Sequence, residues 1–128
     1  MSKMKKTRPI SPHLSIYKFH INTIMSISHR MTGVILFLFF SFLSWGFIVW
    51  FFYDFSEKIS YIIDNVFFKI FLIISIFSFY YHLFNGIRYF FWMILLGFSK
   101  FSIVNYSFLI IFLSILCSGF TYYVIFLM

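Results

Sequence analysis

Two short stretches hold the side chains able to do chemistry. In Tyr81-His82-Leu83-Phe84-Asn85-Gly86-Ile87-Arg88, His82 is the one residue before Arg88 that can hold a metal or carry a proton, and it sits within an apolar run. An ionisable side chain inside a bilayer costs about 3 kcal/mol or more and is therefore a candidate for function. Gly86 follows at i+4, on the same helical face and one turn along. Its missing side chain leaves room for a flat ligand beside the imidazole. Haem fits such a patch, because neutral imidazole is a common axial ligand of its iron. The alternative is a histidine hydrogen-bonded to a neighbouring helix, with Gly86 serving close packing. Spacing leaves both open.

The second stretch is Ser26-Ile27-Ser28-His29-Arg30. Ser26 and Arg30 are i,i+4 partners, and His29 lies at i+3 from Ser26. A hydroxyl and a guanidinium converging near a membrane surface can hydrogen-bond the oxygens of a quinone head group. Arg30 or His29 can instead pair with the propionates of a haem. Arg and His at an interfacial helix end also commonly reach out to lipid phosphate with no further role.

Composition says what must position these groups. Of 128 residues, 62% are hydrophobic and 10% charged, against about a quarter charged in soluble domains. The expected fold is an all-α integral membrane protein with three transmembrane helices. Cys117 is the sole cysteine, which excludes an internal disulfide and a cysteine-rich metal site. The 23 Phe residues, alongside many Ile, Tyr, Asn and Lys, suggest an AT-rich genome such as an organelle or a reduced bacterium. The net charge of +7 does not indicate nucleic acid, since six of the ten basic residues fall in the first thirty positions and form no helical stripe.

The chain divides into a basic N-terminal segment (1–21), a first helix (22–53) with Asn22 or Thr23 as its cap, and an acidic loop (54–64). A second helix (65–96), a short loop (97–102) and a third helix (103–128) complete it. The second run is long enough to tilt or project from a hydrocarbon core of about 30 Å. No secretory signal is expected from the N-terminal segment, so the protein should be made on the side where it stays or be organelle-encoded. The basic start and Lys100, set against the acidic first loop, put the N-terminus on the cytoplasmic or matrix side by the positive-inside rule. His82, Arg30 and Arg88 then share the inner half of the membrane. His13 and His20 are expected to be solvated, and the Tyr and Trp residues to serve packing or the interface.

The motif Arg8-Pro9-Ile10-Ser11-Pro12-His13-Leu14-Ser15-Ile16-Tyr17, followed by Ser26-Ile27-Ser28-His29-Arg30-Met31-Thr32-Gly33, resembles the N-terminal signature of the cytochrome b556 subunits of succinate dehydrogenase. These are the large membrane anchors of respiratory complex II. His82-Leu83-Phe84-Asn85-Gly86-Ile87-Arg88 resembles the second signature of that family. The resemblance implies that His82 is an axial ligand of haem b, the second ligand coming from a small anchor subunit. It implies that Ser26 and Arg30 line the ubiquinone pocket and that His29 and Arg30 lie near the haem propionates. On this reading Arg30 stabilises negative charge developing on the quinone, and Ser26 hydrogen-bonds a quinone oxygen.

Further partners would be the iron–sulfur and flavoprotein subunits, with no nucleic acid, and the chain would not be an enzyme by itself. The membrane would be that of a bacterium or the inner membrane of a mitochondrion. The family pattern usually continues with His and later Asp where Tyr89 and Met93 stand, which concerns the surroundings of the haem. A fumarate reductase anchor and a cofactor-free three-helix scaffold are the alternatives.

Overall fold

The computed structural model describes residues 20–52, 61–95, 97 and 99–127. The basic segment up to residue 19, with His13 and the motif at 8–17, lies outside them, as do Asp54, Glu57 and Lys58 of the first loop. Three long helices follow one another: α1 (Ile21–Phe52), α2 (Val66–Met93) and α3 (Lys100–Leu127). Each is long and apolar enough to cross a membrane. The 32 residues of α1 amount to about 48 Å, well beyond the hydrocarbon thickness.

The helix starts are set by short polar residues, though not always the expected ones. Neither Asn22 nor Thr23 caps α1. The helix is already under way there, and the N–H groups of Thr23 and Ile24 donate to the His20 carbonyl at 2.9 and 3.3 Å. At α2 the Asn65 side chain accepts from the Phe67 N–H at 2.8 Å, satisfying one of the orphan donors of the first turn. The third helix starts at Lys100, three residues ahead of the expected start at Ile103, because the Ser99 hydroxyl accepts the Ser102 N–H at 3.1 Å. Between α2 and α3, Leu95 and Gly97 have positive φ (61° and 78°), which turns the chain back on itself.

The helices form an up-down-up bundle with α2 between its neighbours. Residues near the start of α1 meet the second half of α2, where the Tyr81 hydroxyl donates to Met25 Sδ at 3.1 Å and Asn85 Nδ2 to the Met25 carbonyl at 3.1 Å. Farther along, Phe39 and Phe42 pack on Phe71. The α2–α3 seam is held by Arg88 to Ser107 at 2.7 Å and by Tyr80 with Thr121 at 2.8 Å.

The bundle is polar inside and apolar outside. Among the described residues the buried apolar ones are Met25, Tyr81 and Ile110, whereas Thr32, Ser75, Ser78, Asn85, Arg88, Ser107 and Ser114 are buried polar ones. Burying apolar surface gives no driving force when the solvent is itself hydrocarbon. Close contact through small residues and interhelical hydrogen bonds takes its place. Ser75 and Ser114 donate back to carbonyls one turn earlier, at 2.8 and 2.7 Å, so their hydroxyls cost little inside the seam. The outer surface is a sheath of Phe, Ile, Leu and Trp. In water, exposed apolar area on this scale would be an aggregation hazard; in a bilayer it is the solvated face.

Candidate functional site

The site lies where the first part of α1 crosses the second half of α2. Met25, His29 and Thr32 recur at i, i+4 and i+7 along α1 and form the stripe turned toward α2. Across from them stand Tyr81, His82 and Asn85. The seam thus brings the two candidate histidines, 53 residues apart in sequence, face to face. Their imidazoles stack with centroids 3.9 Å apart and an interplanar angle of 11°.

The hydrogen bonds of His82 fix its tautomer. Its Nδ1 lies 3.1 Å from the His29 carbonyl oxygen and 3.2 Å from Thr32 Oγ1. Thr32 donates its own proton to the same carbonyl at 2.9 Å. A carbonyl only accepts, so Nδ1 carries the hydrogen and Nε2 keeps its lone pair. This is the arrangement in which a backbone acceptor orients a ligating histidine and raises its basicity.

Two glycines shape the space around the rings. A Cβ on Gly33 would stand 3.2 Å from His82 Cε1, so the ring rests on the bare backbone of α1. A Cβ on Gly86 would stand 3.8 Å from His29 Nε2. Gly86, expected to be the bare patch beside His82, borders the histidine pair from the His29 side, and Gly33 is the glycine under His82. A groove of about 430 Å³ lined by His29, His82, Leu83, Gly86, Ile87 and Phe90 opens beside the pair.

These features fit a flat iron-bearing ligand. Nε2 of His82 has its lone pair available, and the buried Nε2 of His29 has no hydrogen-bond partner among the described residues. That orphan is a donor or acceptor waiting for a polar group, such as a carboxylate at the rim of a bound ligand. Around it, Tyr89 meets the His29 ring edge-on at 5.5 Å and packs in turn against Trp92 at 5.3 Å. Tyr89 therefore belongs to the site by contact, although the sequence marked it only as a departure from the family pattern.

Ser26 and Arg30 stand apart from this cluster. They are rotated by one residue from the Met25–His29–Thr32 stripe, Ser26 half-buried and Arg30 exposed. Neither makes a hydrogen bond or ion pair to another described residue. They remain a pair on one flank of α1, beside the stripe that meets α2. Thr32 and Gly33 were missed as site residues by sequence reasoning. Their signal was present, since they lie at i+3 and i+4 from His29, but a threonine and a glycine in an apolar helix carry no chemical mark of their own.

Comparison with known proteins agrees with this geometry. The sequence profile of the succinate dehydrogenase/fumarate reductase transmembrane subunit family matches residues 4–121. The succinate dehydrogenase cytochrome b556 subunit of Rickettsia bellii is 50% identical over 92 residues, covering 72% of each chain. That of Rickettsia prowazekii is 43% identical over 103 residues, covering 77% of this chain and 81% of the relative. The succinate dehydrogenase cytochrome b560 subunit of Cyanidium caldarium is 38% identical over 94 residues, covering 68% and 70%. With three membrane-length helices and a match that takes in both histidine-bearing segments, the chain belongs to the succinate dehydrogenase/fumarate reductase transmembrane subunit family, as a cytochrome b membrane subunit of succinate dehydrogenase.

Proposed function

We propose that this chain anchors the flavoprotein and iron–sulfur subunits of succinate dehydrogenase to the membrane, ligates haem b through His82, and forms part of a ubiquinone site with Ser26 and Arg30. The observation that carries the haem assignment is the hydrogen bonding of His82. Its Nδ1–H is committed to the His29 carbonyl and Thr32, which leaves Nε2 to bind metal. Bound there, haem b supplies one-electron redox chemistry. The chain's own residues do the rest. Gly33 seats the His82 ring on α1, Gly86 lines the groove beside the pair, Thr32 holds the imidazole, and His29 offers its unpartnered Nε2 to a propionate. One chain supplies one suitably disposed histidine, so the second axial ligand is assigned to the small anchor subunit.

The quinone assignment rests on Ser26 and Arg30 sharing one flank of α1, where neither side chain is bonded to another described residue. On that flank a neighbouring subunit can close a pocket, with Ser26 donating to one quinone oxygen and Arg30 favouring the negative charge that reduction brings. The N-terminus is assigned to the cytoplasmic or matrix side by its basic residues. This puts Ser26 and Arg30 at the face where an iron–sulfur subunit can deliver electrons.

The deciding experiment is a reduced-minus-oxidised absorption spectrum of the purified complex, wild type beside His82→Ala. A b-type band in the wild type that is lost or displaced in the variant supports the assignment. An unchanged band in the variant overturns it.

A further inference from the structure

Arg88 is 4% exposed, yet only one of its three nitrogens is paired: Nη1 donates to Ser107 at 2.7 Å, while Nε and Nη2 have no hydrogen-bond partner among the described residues. Among the described residues no carboxylate pairs with it: the acidic residues of the sequence, Asp54, Glu57 and Asp64, all precede α2, whereas Arg88 lies 22 residues beyond the start of that helix at Val66. That is about 33 Å of helix rise. A buried charge without a counter-ion costs several kcal/mol, so the anion has to come from outside the chain.

The surroundings of Arg88 say what kind of anion. It lines a cavity of about 370 Å³ between α2 and α3, on a different flank of α2 from the His82 groove. Trp92 and Tyr106 are the other polar groups there, and Phe84, Leu109 and Leu113 continue the walls as purely apolar surface. The Trp92 ring lies over the guanidinium, with Cζ 4.5 Å from its centroid, and lines the same cavity. Arg88 is five residues from the end of α2, about 7.5 Å of rise and hence near the level of lipid head groups.

We propose that this cavity is a binding site for one acidic phospholipid. The phosphate takes the Nε–Nη2 edge of Arg88, Trp92 turns aside to admit it, and an acyl chain lies along Phe84, Leu109 and Leu113. A guanidinium edge matches two phosphate oxygens bidentately, and a bilayer presents such a group at this depth. The inference requires only that the helices lie in a membrane. It stands or falls separately from the haem and quinone assignments.

The test is native mass spectrometry of the complete complex, purified in detergent, stripped of loosely held lipid and titrated with phosphatidylglycerol or phosphatidylcholine. Wild type should retain one phosphatidylglycerol and show preference for it over phosphatidylcholine. Arg88→Gln should weaken that retention by about ten-fold or more, in line with loss of a charge-assisted bond. Leu113→Trp, which fills the apolar part and leaves the charge in place, should also expel the lipid. This second variant keeps the test decisive if Arg88→Gln fails to assemble. Equal retention of both lipids by the wild type, or unchanged retention in Leu113→Trp, overturns the proposal. Retention unchanged in Arg88→Gln while haem or a neighbouring subunit is lost would also overturn it, since the anion would then be a propionate or a protein carboxylate.

Discussion

The imidazoles of His29 and His82 lie parallel at 3.9 Å, and the His29 backbone carbonyl accepts from Nδ1 of the ring that its own side chain covers. One residue of α1 thus fixes both the rotation and the tautomer of a residue on α2. The contact also explains why the crossing of these helices is so close at this level: Gly33 lets the His82 ring lie on the α1 backbone.

Gly33→Ala should displace the His82 ring. Its new Cβ would meet Cε1 at 3.2 Å, tighter than ordinary contact, and the ring is held from the other side by His29. Gly46→Ala on the same helix meets nothing within 4 Å and is the control. The absorption spectrum of the purified complex should change in the first variant and remain that of the wild type in the second.

Thr32→Val should loosen the same ring more gently. The hydroxyl at 3.2 Å from Nδ1 is lost, but the His29 carbonyl at 3.1 Å remains. Loss of an outer-shell partner lowers the affinity of a metal site by about 10- to 100-fold. With one acceptor retained, the low end is expected, read as haem content per complex after controlled washing.

Replacing Ser26 by Ala or Arg30 by Gln should lower ubiquinone reduction and leave succinate oxidation with a soluble artificial acceptor intact. Arg30→Gln should have the larger effect, about ten-fold or more, because hydrogen bonds to charged groups are worth about 1.5–3 kcal/mol against about 1 for neutral ones. Steady-state assays with the two acceptors on the same preparation decide it. If both activities stay at the wild-type level, the flank bearing Ser26 and Arg30 is not the quinone site.

Asn85→Leu should weaken the α1–α2 seam. Asn85 is fully buried, and its Nδ2 donates to the Met25 carbonyl at 3.1 Å. Interhelical hydrogen bonds in membranes average about 0.6 kcal/mol and reach about 1.7. A fall in the thermal midpoint of the detergent-solubilised complex, with haem released at a lower temperature than in the wild type, is the expected result. Tyr80→Phe, which removes the bond to Thr121 on the far seam, should lower the midpoint without changing the spectrum.

Much of this protein was legible in the order of its residues. Three long apolar runs separated by short polar stretches permit little but spanning helices, because hydrocarbon leaves every backbone polar group to be satisfied within its own segment. His82 stood out for the same reason: an ionisable side chain within such an apolar run is costly and so marks a candidate for function. The family signatures around His29 and His82 were likewise readable as strings. Helix starts were less so, as Asn22 shows. A residue able to cap does so only if the helix begins there, and the His20 carbonyl begins α1 two residues earlier.

What the sequence could not determine was which faces meet. In these helices nearly every side of the cylinder is apolar, so periodicity does not point to the interior as it does in a soluble bundle. Only the crossing of α1 over α2 decided that His29 would cover His82 rather than share a flank with Arg30. That crossing also made Gly33 the floor of the site, while the docking of α3 on α2 enclosed Arg88 against Ser107. The physical reason is that packing in a bilayer selects for small residues and a few polar contacts at close approach. Those contacts join residues far apart in the chain, and their partners exist only once the helices have docked.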